Sequence, residues 1–192
     1  MSGELTDVRV AFLVSNEGIE QVELEEPWRA VVDAGGLPDL IAPLAGEAQA
    51  MHHLDMADRF LVDRTTEEVR AEEYDAVVLP GGVANPDVLR QDAAAVDFLM
   101  AMFEKGKPVA AICHGASTLV DGDLVRGRTV TSWPSLQTDL RNAGGSWVDE
   151  EVSVCRNGIN VLITSRAPTD LKAFCGAITR VFGEKRLASA GT

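Results

Sequence analysis

An α/β fold, with a mostly parallel sheet sandwiched by helices, is predicted from three observations. Short apolar runs rich in Val, Leu and Ile recur along the chain, each bounded by turn signals as strands buried on both faces are. Amphipathic helical patterns separate them, and that alternation is the signature of a parallel sheet covered on both sides. One run ends abruptly on Cys-His-Gly, the spacing of a nucleophile elbow.

The predicted strands are VRVAFLV (8–14), LPDLIAP (37–43), DAVVLP (75–80) and KPVAAIC (107–113). Between the first two, Leu24, Trp28, Val31 and Val32 recur at i, i+4, i+7 and i+8, giving an apolar helix face that ends at Gly35-Gly36. Pro27 then belongs near the first turn or at a kink. A second helix is expected over 86–104, through Val88, Leu89, Val96, Leu99 and Phe103, and a third over 168–182 after Ala167-Pro168. EVSVCRNGINVLIT (151–164) reads as a hairpin turning at Asn157-Gly158.

A chain of 192 residues suits one domain, here 1–192, with an ordered core over about 7–184 and a frayed tail after Gly183. No repeat or low-complexity segment interrupts it. Its 30 acidic residues against 17 Lys plus Arg give a net charge of −13, which phosphate backbones and anionic lipid would repel, so neither nucleic acid nor membrane is an expected partner. Glu4 and Asp7 stand where a secretory signal would carry positive charge, and the expected compartment is the cytoplasm. Cys113, Cys155 and Cys175 are odd in number and lack CxxC spacing, against a disulfide framework or structural zinc.

Ligands of such sheets bind at the carboxyl ends of the strands. Three exits, SNEGIEQVELEEP, PGGVANPD and CHGAS, are therefore expected to converge on one crevice. Ala111-Ile112-Cys113-His114-Gly115 would leave Cys113 exposed in a strained turn at a helix N-terminus, which would lower its pKa. A small buried hydrophobe is the alternative role for Cys113. The other histidines, His52 and His53, precede the cysteine. Triads whose base lies downstream, as in class I glutamine amidotransferases and papain-like proteases, are thereby excluded. Nothing after the first strand matches GxGxxG.

The ordered segments QVELEEPWRAVVDAGG, HLDMADRFLVDRTTEEV, YDAVVLPGGVANPDVLR, GKPVAAICHGAS, LVRGRTVTSWPSLQTDLRNAGGSWVDEEV and ITSRAPTDLKAF resemble the ThiJ/PfpI family over nearly the whole chain. That resemblance implies a flavodoxin-like sheet and a cofactor-free thiol site. Cys113 matches the family's reactive cysteine, His114 the histidine beside it in the PfpI branch, and Glu23, four residues before Pro27, the acidic partner of the thiol. A protonated Glu23 donating to sulfur would stabilise the thiolate; Glu20 is the second choice, as a mouth residue. Asp87 falls one residue beyond the place of the carboxylate that a neighbouring subunit lends to the histidine, which implies a homodimer or higher oligomer with the site near the interface. The amides of Gly82 and His114 would form an oxyanion hole, and Trp133 matches an aromatic lining position. Ala116 and Ser117 depart from the Pro and bulky residue usual after CHG, which bears on pocket size.

Of the remaining candidates, Cys175 is expected on the core face with Leu171, Phe174 and Ile178, Cys155 partly exposed beside the hairpin turn, and His52-His53 in a turn, without a metal. Two function classes follow. One is a cysteine enzyme acting on small carbonyls such as methylglyoxal, or on peptides as a cysteine peptidase; small carbonyls are favoured because an elbow under an interface leaves little room for a polypeptide. The other is a redox sensor or chaperone that uses an oxidisable Cys113 without turnover.

Overall fold

The computed structural model describes residues 4–189, with side chains to residue 184. From the N-terminus, β1 (Arg9–Leu13) and β2 (Glu17–Glu20) lead into α1 (Gln21–Asp33), followed by β3 (Leu37–Ala42), β4 (Glu47–His52), β5 (Asp55–Leu61) and β6 (Arg64–Thr65). The middle of the chain forms β7 (Ala76–Leu79), α2 (Ala84–Leu89), α3 (Ala93–Glu104) and β8 (Val109–Ile112). After these come α4 (Thr118–Asp121), β9 (Thr129–Val130), α5 (Gln137–Asn142), β10 (Ser146–Trp147), β11 (Val152–Cys155), β12 (Leu162–Ser165) and α6 (Leu171–Ser189).

The main sheet has the order β11-β12-β8-β7-β1-β3-β6 and is parallel except for the edge strand β11, which runs antiparallel to β12. Counted along the chain, β1, β3, β7, β8 and β12 lie in the spatial order 2-1-3-4-5, the flavodoxin-like arrangement. All four residues of β7 and of β8 are buried, as strands covered on both faces must be. Alternate residues feed two cores. Val10, Phe12, Val78 and Ile112 pack with Leu24 and Val31 of α1 and Phe174 and Ile178 of α6. Ala11, Leu13, Val77 and Ala111 pack on the other face with Phe98, Leu99 and Met102 of α3.

Most sequence expectations hold, and the departures have local causes. Helix α1 closes at Gly35-Gly36 in a Schellman arrangement, with the Gly36 N–H on the Val31 carbonyl and the Gly35 N–H on that of Val32. Val32 itself is 48% exposed, because Leu24 and Val31 already fill the core-facing stripe. Pro27 sits in mid-helix rather than in the first turn, where it can offer no N–H to the Glu23 carbonyl. The helix expected over 86–104 is two helices. Asp92 interrupts it by capping α3, accepting the Ala95 N–H at 2.7 Å. The hairpin at 151–164 forms, but Cys155 pairs with Leu162, so the connection is 156–161 rather than a two-residue Asn-Gly turn. Helix α6 runs past Gly183 to Ser189, and residues 190–192 of the expected tail lie outside the described residues. Among the described residues no helix is long and apolar enough to cross a membrane.

The strand order reverses between β1 and β7, and there the carboxyl ends open a crevice. Fully buried Asn85 ties its two sides together. Its Oδ1 accepts the Ser15 N–H beyond β1 at 2.7 Å, and its Nδ2 donates to the Pro80 and Gly81 carbonyls beyond β7 at 3.0 and 3.1 Å. Replacing Asn85 by Ala strands the buried Ser15 N–H and the Pro80 carbonyl, while the Gly81 carbonyl keeps the Glu20 N–H, so urea unfolding should show a loss of about 2–4 kcal/mol. Asn85→Asp, which sets an acceptor against both carbonyls, should be no milder.

Candidate active site

Strand β8 ends on Cys113, whose backbone is left-handed at φ 59°, a conformation that non-glycine residues adopt only where their surroundings enforce it. The 3-10 turn Cys113–Ser117 follows, and then the single-turn α4. This is the expected elbow, but no long helix starts at the thiol to lend it a dipole. Two backbone amides point at the sulfur instead, those of His114 and Gly82. Gly82 is at φ 92°, and a side chain there would collide with the Gly18 carbonyl. At Gly81 a Cβ would collide with both the Glu23 carboxyl and Cys113, so only glycine lets the loop pass between acid and thiol.

Glu23 is fully buried, the reverse of the usual fate of a helix glutamate. Its Oε2 accepts the Gly81 N–H at 3.0 Å, and its Oε1 has no hydrogen-bond partner. Burial, reinforced by the nearby Glu20, pushes its pKa up to about 8 against the opposing influence of the adjacent Cys113 thiol and the Gly81 N–H. The Cys113 thiol is also pushed up, first by burial and then by Glu23. This corrects the expected lowering, because desolvation outweighs the two amides. Two acids in one dry pocket titrate as a pair. Two amide donors reach the sulfur and one reaches the carboxylate.

The imidazole of His114 lies beside the thiol. Burial lowers its pKa, so the neutral ring is favoured. Its Nδ1 lies 3.4 Å from the Cys113 sulfur and its Nε2 lies 3.5 Å from the Ser135 Oγ. With Nε2–H directed at Ser135, Nδ1 is free to accept. Trp133 stacks on the imidazole at 5.7 Å and 26°, and its backbone N–H donates to the Cys113 carbonyl at 3.2 Å.

These groups line a cavity of about 330 Å³. At its mouth Glu20 accepts the His53 N–H on Oε2 at 3.1 Å and donates its own N–H to Gly81. Leu54, 89% exposed, and Val83, 68% exposed, form the rim with Pro168. The structure thus gathers Cys113, His114, Glu23, Gly82, Trp133 and Glu20, and leaves Asp87 apart on the exposed face of α2. Sequence reasoning missed Ser135. Its signal was Pro134, which starts the 3-10 turn Pro134–Leu136 that returns the next residue to His114.

Two other cysteines depart from expectation. Cys155 is buried, and its sulfur accepts from Arg128 Nε and the Thr129 N–H at 3.4 and 3.3 Å; those donors overcome burial and lower its pKa. Cys175 is half-buried beside Leu171, Phe174 and Ile178 rather than within their core face, and burial raises its pKa to about 11. Among the described residues no group of three or more His, Cys, Asp or Glu side chains is arranged to hold a metal ion.

Comparison with known proteins gives a family and an architecture. The DJ-1/PfpI family pattern matches residues 8–181. Deglycase PH1704 of Pyrococcus horikoshii is 40% identical over 167 residues, covering 87% of this chain and 95% of that one. YraA of Bacillus subtilis, provisionally named a cysteine protease, is 37% identical over 166 residues, 86% of this chain and 93% of its own. Among solved structures, a two-domain Anabaena variabilis protein with DJ-1/ThiJ/PfpI-like and ferritin-like domains superposes with a TM-score of 0.83 at 35% identity, over 92% of this chain and 48% of that one.

The raised Glu23 pKa fixes the sign of a pH effect. In the unfolded chain this carboxyl ionises near 4.5, in the folded chain near 8, so the unfolded state sheds its proton first as pH rises. The stability Glu23 contributes is fully present below about pH 4.5 and is lost as pH climbs through about 8. Glu23→Gln cannot ionise, and urea unfolding across that window should show the variant gaining on the parent by a few kcal/mol, as an order of magnitude. A difference that stays flat with pH would mean that Glu23 ionises as an ordinary carboxylate.

Proposed function

The chain belongs to the DJ-1/PfpI family, and from that membership we propose that it is a cofactor-independent cysteine enzyme acting on small reactive carbonyls such as methylglyoxal. The observation that carries this reading is the neutral base 3.4 Å from a buried thiol. A thiol pushed up by burial needs a base to become a nucleophile, and His114 Nδ1 is in place to serve. A redox sensor needs the opposite, an accessible thiol of low pKa, which burial at Cys113 disfavours.

In the proposed reaction Cys113 adds to the aldehyde carbon as its proton passes to His114. The S–C bond forms, and the new oxyanion is held by the amides of Gly82 and His114. A proton then leaves the former aldehyde carbon for a base of the site and is returned to the neighbouring carbonyl carbon, giving a lactoyl thioester. Water cleaves that thioester to lactate and restores the thiol. One carbon is oxidised and its neighbour reduced, so no external oxidant or reductant is consumed. Glu23, holding its proton, supports the thiolate and sulfur as leaving group.

The exposed Asp87 and the apolar rim of Leu54 and Val83 support the further reading of a homodimer or higher oligomer. In that assembly one copy's Asp87 would approach the other's His114.

Methylglyoxal consumption with lactate formation, followed in metal-free buffer, tests the assignment. Cys113→Ser should abolish lactate and His114→Ala should lower kcat about 100-fold, whereas Asp87→Asn should lower it less, by about tenfold. Lactate that persists without Cys113 rules the reading out, and casein or peptide hydrolysis at rates matching methylglyoxal would move the assignment to a peptidase.

A further inference from the structure

We infer that Glu20 selects substrates by charge, admitting neutral or cationic carbonyls to the cavity and turning anionic ones away; this rests on the function proposed above. The cavity is electrically one-sided. Two of its lining side chains are carboxyls, Glu20 and Glu23, and among the described residues no Lys or Arg lines it. Of the two, Glu23 is buried and favours its protonated form, which leaves Glu20 as the acidic group an entering molecule meets. Among the described residues no lysine or arginine pairs with Glu20.

Glu20 is also fixed in place. Its backbone N–H is held by the Gly81 carbonyl at 3.2 Å, and its Oε2 by the N–H of His53, a turn residue at φ 57° whose left-handed backbone aims that N–H at the mouth. A long side chain anchored at both ends keeps its charge at the entrance instead of swinging into solvent. Leu54, Val83 and Trp133 around it are apolar and supply no counter-charge.

Alkylation of Cys113 tests this without relying on turnover. Iodoacetamide and iodoacetate react at the same carbon: the S–C bond forms, iodide departs with the C–I electron pair, and the thiol proton passes through His114 to solvent. One reagent is neutral and the other anionic. Each variant is scored by the ratio of the two rates at Cys113, so any change in thiol ionisation that a substitution causes cancels. The parent should favour iodoacetamide strongly, and Glu20→Gln should shrink that preference roughly fivefold. Glu20→Asp should retain the preference. Glu67→Gln, which removes an equal charge from an exposed site away from the cavity, should leave it unchanged. An unchanged ratio in Glu20→Gln, or an equal change in Glu67→Gln, overturns the inference. Failure of the parent to make lactate while the alkylation ratio still responds to Glu20 would sink the proposed reaction alone. With turnover established, Glu20→Gln should also raise kcat/KM for 4-carboxyphenylglyoxal relative to phenylglyoxal by a similar factor.

Discussion

The left-handed backbone of Cys113 is the constraint on which the rest of the crevice depends. A non-glycine residue at φ 59° carries a cost of order 1–3 kcal/mol, and it persists only because the surroundings leave no alternative. Strand β8 delivers the chain into the turn fully buried, Gly81 fills the space on one side, and the Trp133 N–H holds the Cys113 carbonyl on another. Asn85 then fixes the loop that carries Gly81 and Gly82. With that strain, the sulfur meets an acid from α1, an amide from the exit of β7, and an imidazole and a second amide from its own turn. A relaxed turn would point the same thiol into the core, where it would be one more small hydrophobe.

Desolvation does the second part of the work, and it acts on three titratable groups in the directions theory requires. It raises the two acids, Glu23 and Cys113, and lowers the base, His114. Neutral forms are therefore favoured throughout, and the site stores protons rather than charges. In the proposed reaction a carbonyl entering such a pocket would meet a thiol that becomes nucleophilic only as its proton moves to Nδ1, and that joint use of nucleophile and base would limit unproductive oxidation of a standing thiolate.

Much of this was legible in the sequence, and the illegible remainder has a common character. Strands β1, β3, β7 and β8 could be read because burial on both faces demands unbroken apolar runs, and the end of α1 because Gly35-Gly36 satisfies its last carbonyls. The elbow could be read because strand, Cys, His and Gly succeed one another locally. What escaped depends on partners distant along the chain. Cys155 looks like an exposed turn residue until Arg128, 27 positions earlier, is folded against it. The direction of the Cys113 shift depends on how deeply Glu23 and the sulfur are sealed, a property of packing that no motif encodes. Ser135 was hidden because its role exists only through His114, 21 residues away.

The division between the local and the distant also bears on how one scaffold can host related activities. Cys113 and His114 come from one turn and Gly81-Gly82 from the neighbouring strand exit, so the attacking thiol, its base and its amides are locked together by the sheet. The rim is assembled otherwise: Glu20 ends β2, His53 and Leu54 form the β4–β5 turn, Val83 precedes α2, Trp133 precedes a 3-10 turn and Pro168 begins another. A rim side chain can change while the bonds that hold the strained cysteine persist, because Trp133 and Glu20 make theirs through main-chain N–H groups. Under the proposed function a substitution on the rim would alter which carbonyl enters, while one at the elbow would alter whether any carbonyl reacts. The elbow is then a short motif that a sequence displays openly, and the rim a set of scattered residues whose company only the fold reveals.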